Sequence, residues 1–234
     1  MDRRKFLRIS GLTFSAGVLG CNSDGPESAQ RLLELAQEKN ETVERAIFRH
    51  TSMDRVRAGA HNTGGAFPSY HISKELPVWD EAARGVWRLE VSGAVRKPLM
   101  LTLADLQKLP RTTQRVNHYC VEGWTAVAVW TGVRVSDVAR AVQITDDADY
   151  VDFQSFDSGY HESWDIDSAL HRQTLVAYGM DGALLSARHG APARIHSPVK
   201  LGYKSTKYLT RIVFMPKRNG GYWTDRGYEW YAGV

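Results

Sequence analysis

Asn117-His118-Tyr119-Cys120-Val121-Glu122-Gly123-Trp124, with Trp130-Thr131-Gly132-Val133 behind it, is the stretch on which the reading of this chain turns. Cys120 is one of two cysteines in 234 residues, and the other, Cys21, lies in a segment with the character of an export signal. A lone thiol in an exported chain has no partner for an internal disulfide. It is either packed as a small hydrophobe or kept for chemistry. Polar and aromatic residues precede Cys120 and Glu122-Gly123 follows it, which puts the thiol at a turn after a strand and argues against inert packing.

The N-terminus reads as an address. Arg3-Arg4 precede an uncharged stretch from Ile9 to Ser23, shorter than the roughly 20 apolar residues needed to span a bilayer. Twin arginines ahead of such a stretch suggest the export route that carries folded proteins, with a periplasmic destination. Val18-Leu19-Gly20-Cys21 resembles a lipobox, which would make Cys21 a lipid anchor; a plain small-residue cleavage site is the alternative. The whole chain carries 30 Lys+Arg against 26 Asp+Glu, but residues beyond 20 hold 26 against 25. The basic excess therefore belongs to the address, and nothing in the charge supports nucleic-acid binding.

Three segments are expected: an export signal over 1–21, a tether and helical arm with a loop over 22–75, and one domain over 76–234. Leu32, Leu35, Val43, Ala46 and Ile47 recur at helical intervals, so residues 31–57 read as a solvated helix packing one stripe onto the body. Gly59, Gly64, Gly65 and Pro68 mark an irregular loop. Beyond Pro77 the texture is short strands, beginning with the alternating Val86 to Gly93. Further strands are expected at 114–120, 150–156, 174–178, 193–196 and 208–215. Helices are expected after an N-cap at Thr102 and over 133–142, where Val135, Val138, Ala139 and Val142 share a face. Short strands mixed irregularly with a few helices make the class α+β.

The order of motifs resembles the molybdopterin-binding domain of the sulfite oxidase family. The likeness begins with the cysteine stretch and runs through Ala177-Tyr178-Gly179-Met180-Asp181-Gly182 and His189-Gly190-Ala191-Pro192-Ala193-Arg194. It continues in Lys200-Leu201-Gly202-Tyr203-Lys204-Ser205-Thr206-Lys207 and ends in Gly221-Tyr222-Trp223-Thr224-Asp225-Arg226-Gly227-Tyr228, covering about Trp87 to Val234. The resemblance implies a sulfite oxidase-type fold and a molybdenum–molybdopterin cofactor. Cys120 would then be the thiolate ligand of the metal, a soft charged donor suited to an oxidised centre.

By the same resemblance, Arg194 is the pterin-binding arginine, able to grip phosphate through paired hydrogen bonds. Lys204, Ser205, Thr206 and Lys207 fall in the cofactor loop, His189 at a pterin contact, and Ser155 at a polar contact on a strand. Asn62 is aligned loosely with an N-terminal pterin contact, and Lys200 is left undecided between a cofactor contact and a solvated face. Tyr160 falls where sulfite oxidases keep a tyrosine beside the substrate oxyanion. His118 is either a neighbour of the metal ligand or a satisfied core histidine. The carboxylates Asp146, Asp147, Asp165 and Asp167 read as turn and cap residues.

The resemblance implies an oxidoreductase moving an oxygen atom to or from a small sulfur compound such as sulfite. Electrons would pass to a separate carrier, either a cytochrome or a membrane subunit, because no haem motif is present. The family's dimerisation domain is not expected here. The family's sulfite-binding arginine cluster cannot be placed, which favours a second reading, a relative of the periplasmic methionine sulfoxide reductase catalytic subunit. A non-catalytic envelope module retaining the fold is the third.

Overall fold

Leu175-Val176-Ala177-Tyr178 is apolar without alternation, the pattern of a strand covered on both faces. In the computed structural model, which describes residues 27–47 and 67–234, that strand lies between two apolar clusters. Leu175 and Ala177 enter one cluster with Val116, Ala128 and Trp130, while Val176 and Tyr178 enter the other. The export signal, Cys21 and Asn62 lie outside the described residues.

The strands in chain order are β1 (Arg88–Gly93), β2 (Leu99–Thr102), β3 (Arg111–Tyr119), β4 (Thr125–Arg134), β5 (Tyr150–Ser155), β6 (His161–Asp165), β7 (Leu175–Met180), β8 (Ala183–Leu184), β9 (Arg194–His196) and β10 (Leu209–Met215). They form two sheets. One has the order β2-β1-β10-β5-β6, with β1 and β10 parallel and the other pairs antiparallel. The other runs β3-β4-β7-β8, with β9 also paired to β7. This mixture of sheets and short helices is the α+β architecture expected, and it has the sulfite oxidase-type form described below.

The helices are α1 (Glu27–Ile47), α2 (Glu81–Arg84), α3 (Leu103–Lys108), α4 (Val135–Val142) and α5 (Ile166–Ala169). Helix α1 belongs to one compact unit of the chain and the sheets to another. It includes the predicted stripe, of which Leu32, Leu35, Val43 and Ile47 are each more than half exposed. Helix α3 begins where Thr102 predicted. The Thr102 hydroxyl accepts from the Asp105 amide while the Asp105 carboxylate accepts from the Thr102 amide, a reciprocal cap.

Helix α4 starts two residues later than its apolar pattern suggested, because Val133 and Arg134 still belong to β4. Its face of Val135, Val138, Ala139 and Val142 is buried. Burial of the three valines alone contributes roughly 5–9 kcal/mol. Gln143, left-handed at φ 55°, ends the helix.

Strands β3 and β4 pair one to one over nine positions, from Arg111 opposite Val133 to Tyr119 opposite Thr125. The hairpin loop is therefore residues 120–124, closed by hydrogen bonds from the Cys120 amide to the Trp124 carbonyl and from the Gly123 amide to the Cys120 carbonyl, both 3.0 Å. Gly132 sits at the bulge where β4 meets β7. A Cβ there would come within 2.2 Å of the Val176 carbonyl oxygen, so the strands can approach only with glycine.

Candidate active site

Strand alternation aims Cys120. Val116 and His118 are the buried residues at the end of β3, and Cys120 continues their parity. The thiol thus faces the same side as the Val116 cluster and opens into a cleft of about 530 Å³, within the usual size of a cofactor pocket. It is a partly exposed free thiol, as the turn reading required. Burial pushes its pKa up, and the Glu122 carboxylate, 3.9 Å from Sγ, adds to that. Glu122 itself is fixed by hydrogen bonds from Trp124 Nε1 at 3.0 Å and the Tyr70 hydroxyl at 3.1 Å.

Among the described residues, two cations share the cleft without a carboxylate partner. Arg194, on β9, is buried, and its guanidinium donates to the carbonyls of His189, Ile195 and Ser205. Its Cζ lies 5.0 Å from the Trp130 ring centroid, a favourable cation–π contact. Burial lowers its pKa to about 10. Lys207 Nζ donates to the carbonyls of Tyr70 and Arg188. Burial, then the Arg194 charge, brings Lys207 down to about 7. Arg194 is buried and Lys207 half-buried, and cations so covered without a carboxylate partner are costly, so this pair fits an anionic ligand.

Unpartnered polar atoms point the same way. Among the described residues, Ser205 Oγ, the Tyr208 hydroxyl and His118 Nδ1 are buried without a hydrogen-bond partner, and all three residues line the cleft. Burial, with Arg194 and Lys207 adding, lowers His118 to about 3, so its imidazole is neutral at ordinary pH. Gly202 packs directly on it, since a Cβ there would lie 2.4 Å from His118 Nε2. Behind them His196 stacks on Trp130 at 4.1 Å between centroids, with both ring nitrogens unpartnered. A polar, phosphorylated heterocycle fits such a lining: its donors and acceptors would meet these groups and its charge the two cations.

Of the residues singled out in the sequence, the structure brings Cys120, Ser155, Tyr160, Arg194, Ser205 and Lys207 to one cleft. Two others from the same loop do not reach it. Lys204 is buried away from the cleft, with Nζ 2.7 Å from Glu162 Oε2 and both side chains fully covered. The Thr206 hydroxyl is likewise buried and donates to the Phe153 carbonyl. The physical reason is the one-residue spacing of the loop, which alternates side chains between cleft and core. Lys200 also turns inward, donating to Asp165 at 2.8 Å and to the Tyr231 carbonyl at 2.6 Å. Asp165 caps α5 as expected but is also the partner of this buried lysine. His189 contributes its carbonyl to Arg194, and its ring packs edge-on against Phe67.

Ser155 Oγ accepts from the Asp157 amide. Tyr160 is buried, and its hydroxyl donates to the Tyr203 carbonyl. Burial, then the Glu162 charge, raises its pKa well above the ordinary phenol value, so it remains a proton donor.

Several lining residues escaped the sequence reading. Asp157 is buried and accepts from the amides of Ile72 and Ser73 at 2.7 and 2.9 Å and from the Ser73 hydroxyl. It thereby clasps the segment 67–73 that forms one wall. Tyr208, left-handed at φ 56°, gave no local signal. Tyr203, Tyr222, Trp223 and Tyr228 form another wall, visible in the sequence only as aromatic residues within the Lys200–Lys207 and Gly221–Tyr228 motifs. Among the described residues no three His, Cys, Asp or Glu side chains converge on a metal position, so Cys120 would be a single protein ligand.

The profile described as "Oxidoreductase molybdopterin binding domain" matches residues 75–223. Over 233 residues the chain is 36% identical to the "Putative protein-methionine-sulfoxide reductase subunit YedZ1" of Azospira oryzae, spanning 99% of this chain and 87% of that one. It is 32% identical over 244 residues to the "Protein-methionine-sulfoxide reductase catalytic subunit MsrP" of Xanthomonas axonopodis pv. citri, spanning 96% and 73%. Among solved structures, the sulfane dehydrogenase SoxCD of Paracoccus pantotrophus shares the fold. The TM-score is 0.53 at 23% identity, covering 56% of this chain and 38% of that one.

Proposed function

The chain belongs to the oxidoreductase molybdopterin-binding domain family and is a molybdenum-dependent oxidoreductase; from that premise we propose that it is the catalytic subunit of a system reducing organic sulfoxides, protein-bound methionine sulfoxide in particular. The observation that carries the reading is the cleft itself, where one accessible thiol shares the space with a buried Arg194 and a half-buried Lys207, neither ion-paired to a carboxylate among the described residues. Reduction is favoured over sulfite oxidation on two grounds. The relatives just described are named as methionine-sulfoxide reductase subunits. Among the described residues Arg194 is also the one arginine lining the cleft, which gives a small doubly charged oxyanion no arginine cluster there.

Cys120 would hold the metal as thiolate, and Arg194, Lys207 and Ser205 would hold the phosphorylated pterin. When bound, the cofactor supplies two-electron oxygen-atom exchange. The balanced reaction consumes a sulfoxide, two electrons and two protons, and yields a thioether and water. The chain's own part is positional. Tyr160, kept protonated by burial, offers a hydroxyl donor beside the Tyr203 carbonyl, suited to orienting a sulfoxide oxygen or passing a proton to it. His118, neutral and covered by Gly202, fills the floor without adding charge.

The electrons come from a separate carrier, in keeping with the word subunit in the relatives' names. The twin arginines support export to the periplasm after folding, with Cys21 as the candidate lipid anchor.

The test uses holoprotein exported by its native route, assayed with a sulfoxide plus reduced viologen and with sulfite plus ferricyanide, alongside metal analysis. Stoichiometric molybdenum with sulfoxide turnover is expected, and Cys120→Ser should lose both while folding normally. Sulfite turnover without sulfoxide turnover would reverse the direction assigned here. Absence of molybdenum from the wild type would leave only a binding module.

A further inference from the structure

The aromatic wall is built with unusual care for a surface feature. Tyr160 and Tyr222 lie 5.6 Å apart between centroids, Tyr222 and Trp223 5.3 Å, Trp223 and Tyr228 5.0 Å, and Tyr228 and Tyr203 5.2 Å. All five line the same cleft as Cys120. They form a continuous chain of π faces running from buried Tyr160 to Tyr228, which is 38% exposed. Aromatic rings at these spacings attract one another, so the wall is a preformed surface and not a loose fringe.

Its backbone is fixed from below. The Trp223 amide donates to Glu162 Oε1 at 2.9 Å, and the Tyr222 amide to the His161 carbonyl at 2.8 Å. The turn then closes through Gly227, left-handed at φ 90°, and the Tyr228 amide returns to the Trp223 carbonyl at 3.1 Å. Glycine at that position lets the chain double back, so that the Tyr228 ring lands on Trp223. The segment's arginine, Arg226, does not line the cleft. Its Cζ lies 3.7 Å from the Tyr222 ring centroid, and it donates to the Tyr222 carbonyl.

We infer that Tyr203, Tyr222, Trp223 and Tyr228 are the specificity-determining residues of the cleft, seating the carbon arms of an organic sulfoxide or thioether. The inference rests on the sulfoxide reading above and names the residues that choose the substrate. Sulfur and its methyl groups are soft and polarisable and gain from contact with ring edges and faces. A sulfoxide sulfur, positive against its oxygen, gains further from the negative ring face. A compact inorganic oxyanion gains nothing from such a wall, which offers it no free cation. Because the wall reaches the exposed Tyr228, a sulfoxide borne on a peptide can enter with its chain left outside.

The experiment compares the wild-type holoenzyme with Trp223→Ala and Tyr228→Ala, each checked for wild-type molybdenum content and melting temperature. Tyr228 is the exposed member, so its variant guards against a folding failure at Trp223. Two sulfoxides are assayed with reduced viologen: a tripeptide carrying methionine sulfoxide, and dimethyl sulfoxide, which lacks long arms. The expected result is a KM for the tripeptide raised about tenfold with kcat within about twofold, and a KM for dimethyl sulfoxide changed less than about threefold. Tyr228→Phe, which keeps the ring, should recover most of the loss.

Equal effects on both substrates, a loss confined to kcat, or no effect would overturn the inference. So would sulfite turnover whose KM rises in Trp223→Ala. If the wild type reduces no sulfoxide, the functional reading fails, and calorimetric binding of the methionine-containing tripeptide then decides the wall separately. A dissociation constant about tenfold weaker in both alanine variants supports it, and an unchanged one overturns it.

Discussion

Glu162→Gln is the substitution that most sharply separates folding from function in this molecule. Glu162 and Lys204 face each other at 2.7 Å with neither side chain exposed, and Glu162 also accepts from the Trp223 amide and the Thr224 hydroxyl. Burial lowers the Lys204 pKa, and the Glu162 charge restores part of it. Gln fills the same volume and can still accept from the Trp223 amide, but it leaves the ammonium buried without its counter-ion. Breaking a buried pair from one side costs about 3–5 kcal/mol. For a domain of this size that corresponds to a melting temperature lowered by roughly 6–20 °C. The double variant Glu162→Gln, Lys204→Met removes the stranded charge and should return to within about 1–2 kcal/mol of wild type. Thermal and urea denaturation of the wild type, Glu162→Gln, Lys204→Met and the double variant measures this cycle. A single variant melting within about 2 °C of wild type, or a double variant worse than either single, would refute the assignment of Lys204 to the core.

The charge of Lys207 gives a pH signature. Its pKa stands near 7 without an anion, and an anion raises it, so retention of the phosphorylated cofactor is full below about pH 7 and weakens above it, by up to about tenfold per pH unit. Release followed by pterin fluorescence from pH 6 to 9 should show that slope, and a flat profile contradicts it. Asp157→Ala removes the acceptor of two amides and a hydroxyl from the segment 67–73. It should cost about 2–4 kcal/mol and expose that segment to limited proteolysis, with cleavage elsewhere unchanged. Equal cleavage of wild type and variant would show that the clasp is not needed.

What the sequence revealed followed from periodicity. Helix α4 announced itself through Val135, Val138, Ala139 and Val142, and α3 through Thr102. Strand β6 did not. His161-Glu162-Ser163-Trp164-Asp165 is mostly polar yet almost wholly buried, because Glu162 and Asp165 are neutralised by Lys204 and Lys200 from a loop some forty residues away. No local pattern reports a partner at that distance. The same cause misled the assignment of Lys204: a lysine in a cofactor loop and a lysine in a core ion pair look alike until Glu162 is placed beside it. Cys120, Arg194 and Lys207 were singled out by the family resemblance, which supplies roles that spacing alone does not, and the structure brings the three to one cleft. Between the two readings of the substrate, the names of the relatives favour the sulfoxide reductase alternative over sulfite oxidation. The aromatic wall depends on the turn at Gly227, which folds separated rings into contact.

The nine uninterrupted pairs of the β3–β4 hairpin carry a consequence for how this scaffold can vary. Inserting one residue anywhere between Arg111 and Tyr119 would invert the facing of every later position up to the loop, turning the sulfur toward the opposite surface. Adding two would restore the facing but carry the thiol roughly 6–7 Å outward. Length is thus frozen in these two strands, while lengthening is tolerable in surface connections such as the segment between Met215 and Gly221. Diversification of the scaffold toward new substrates is open at the rim and closed along this ladder.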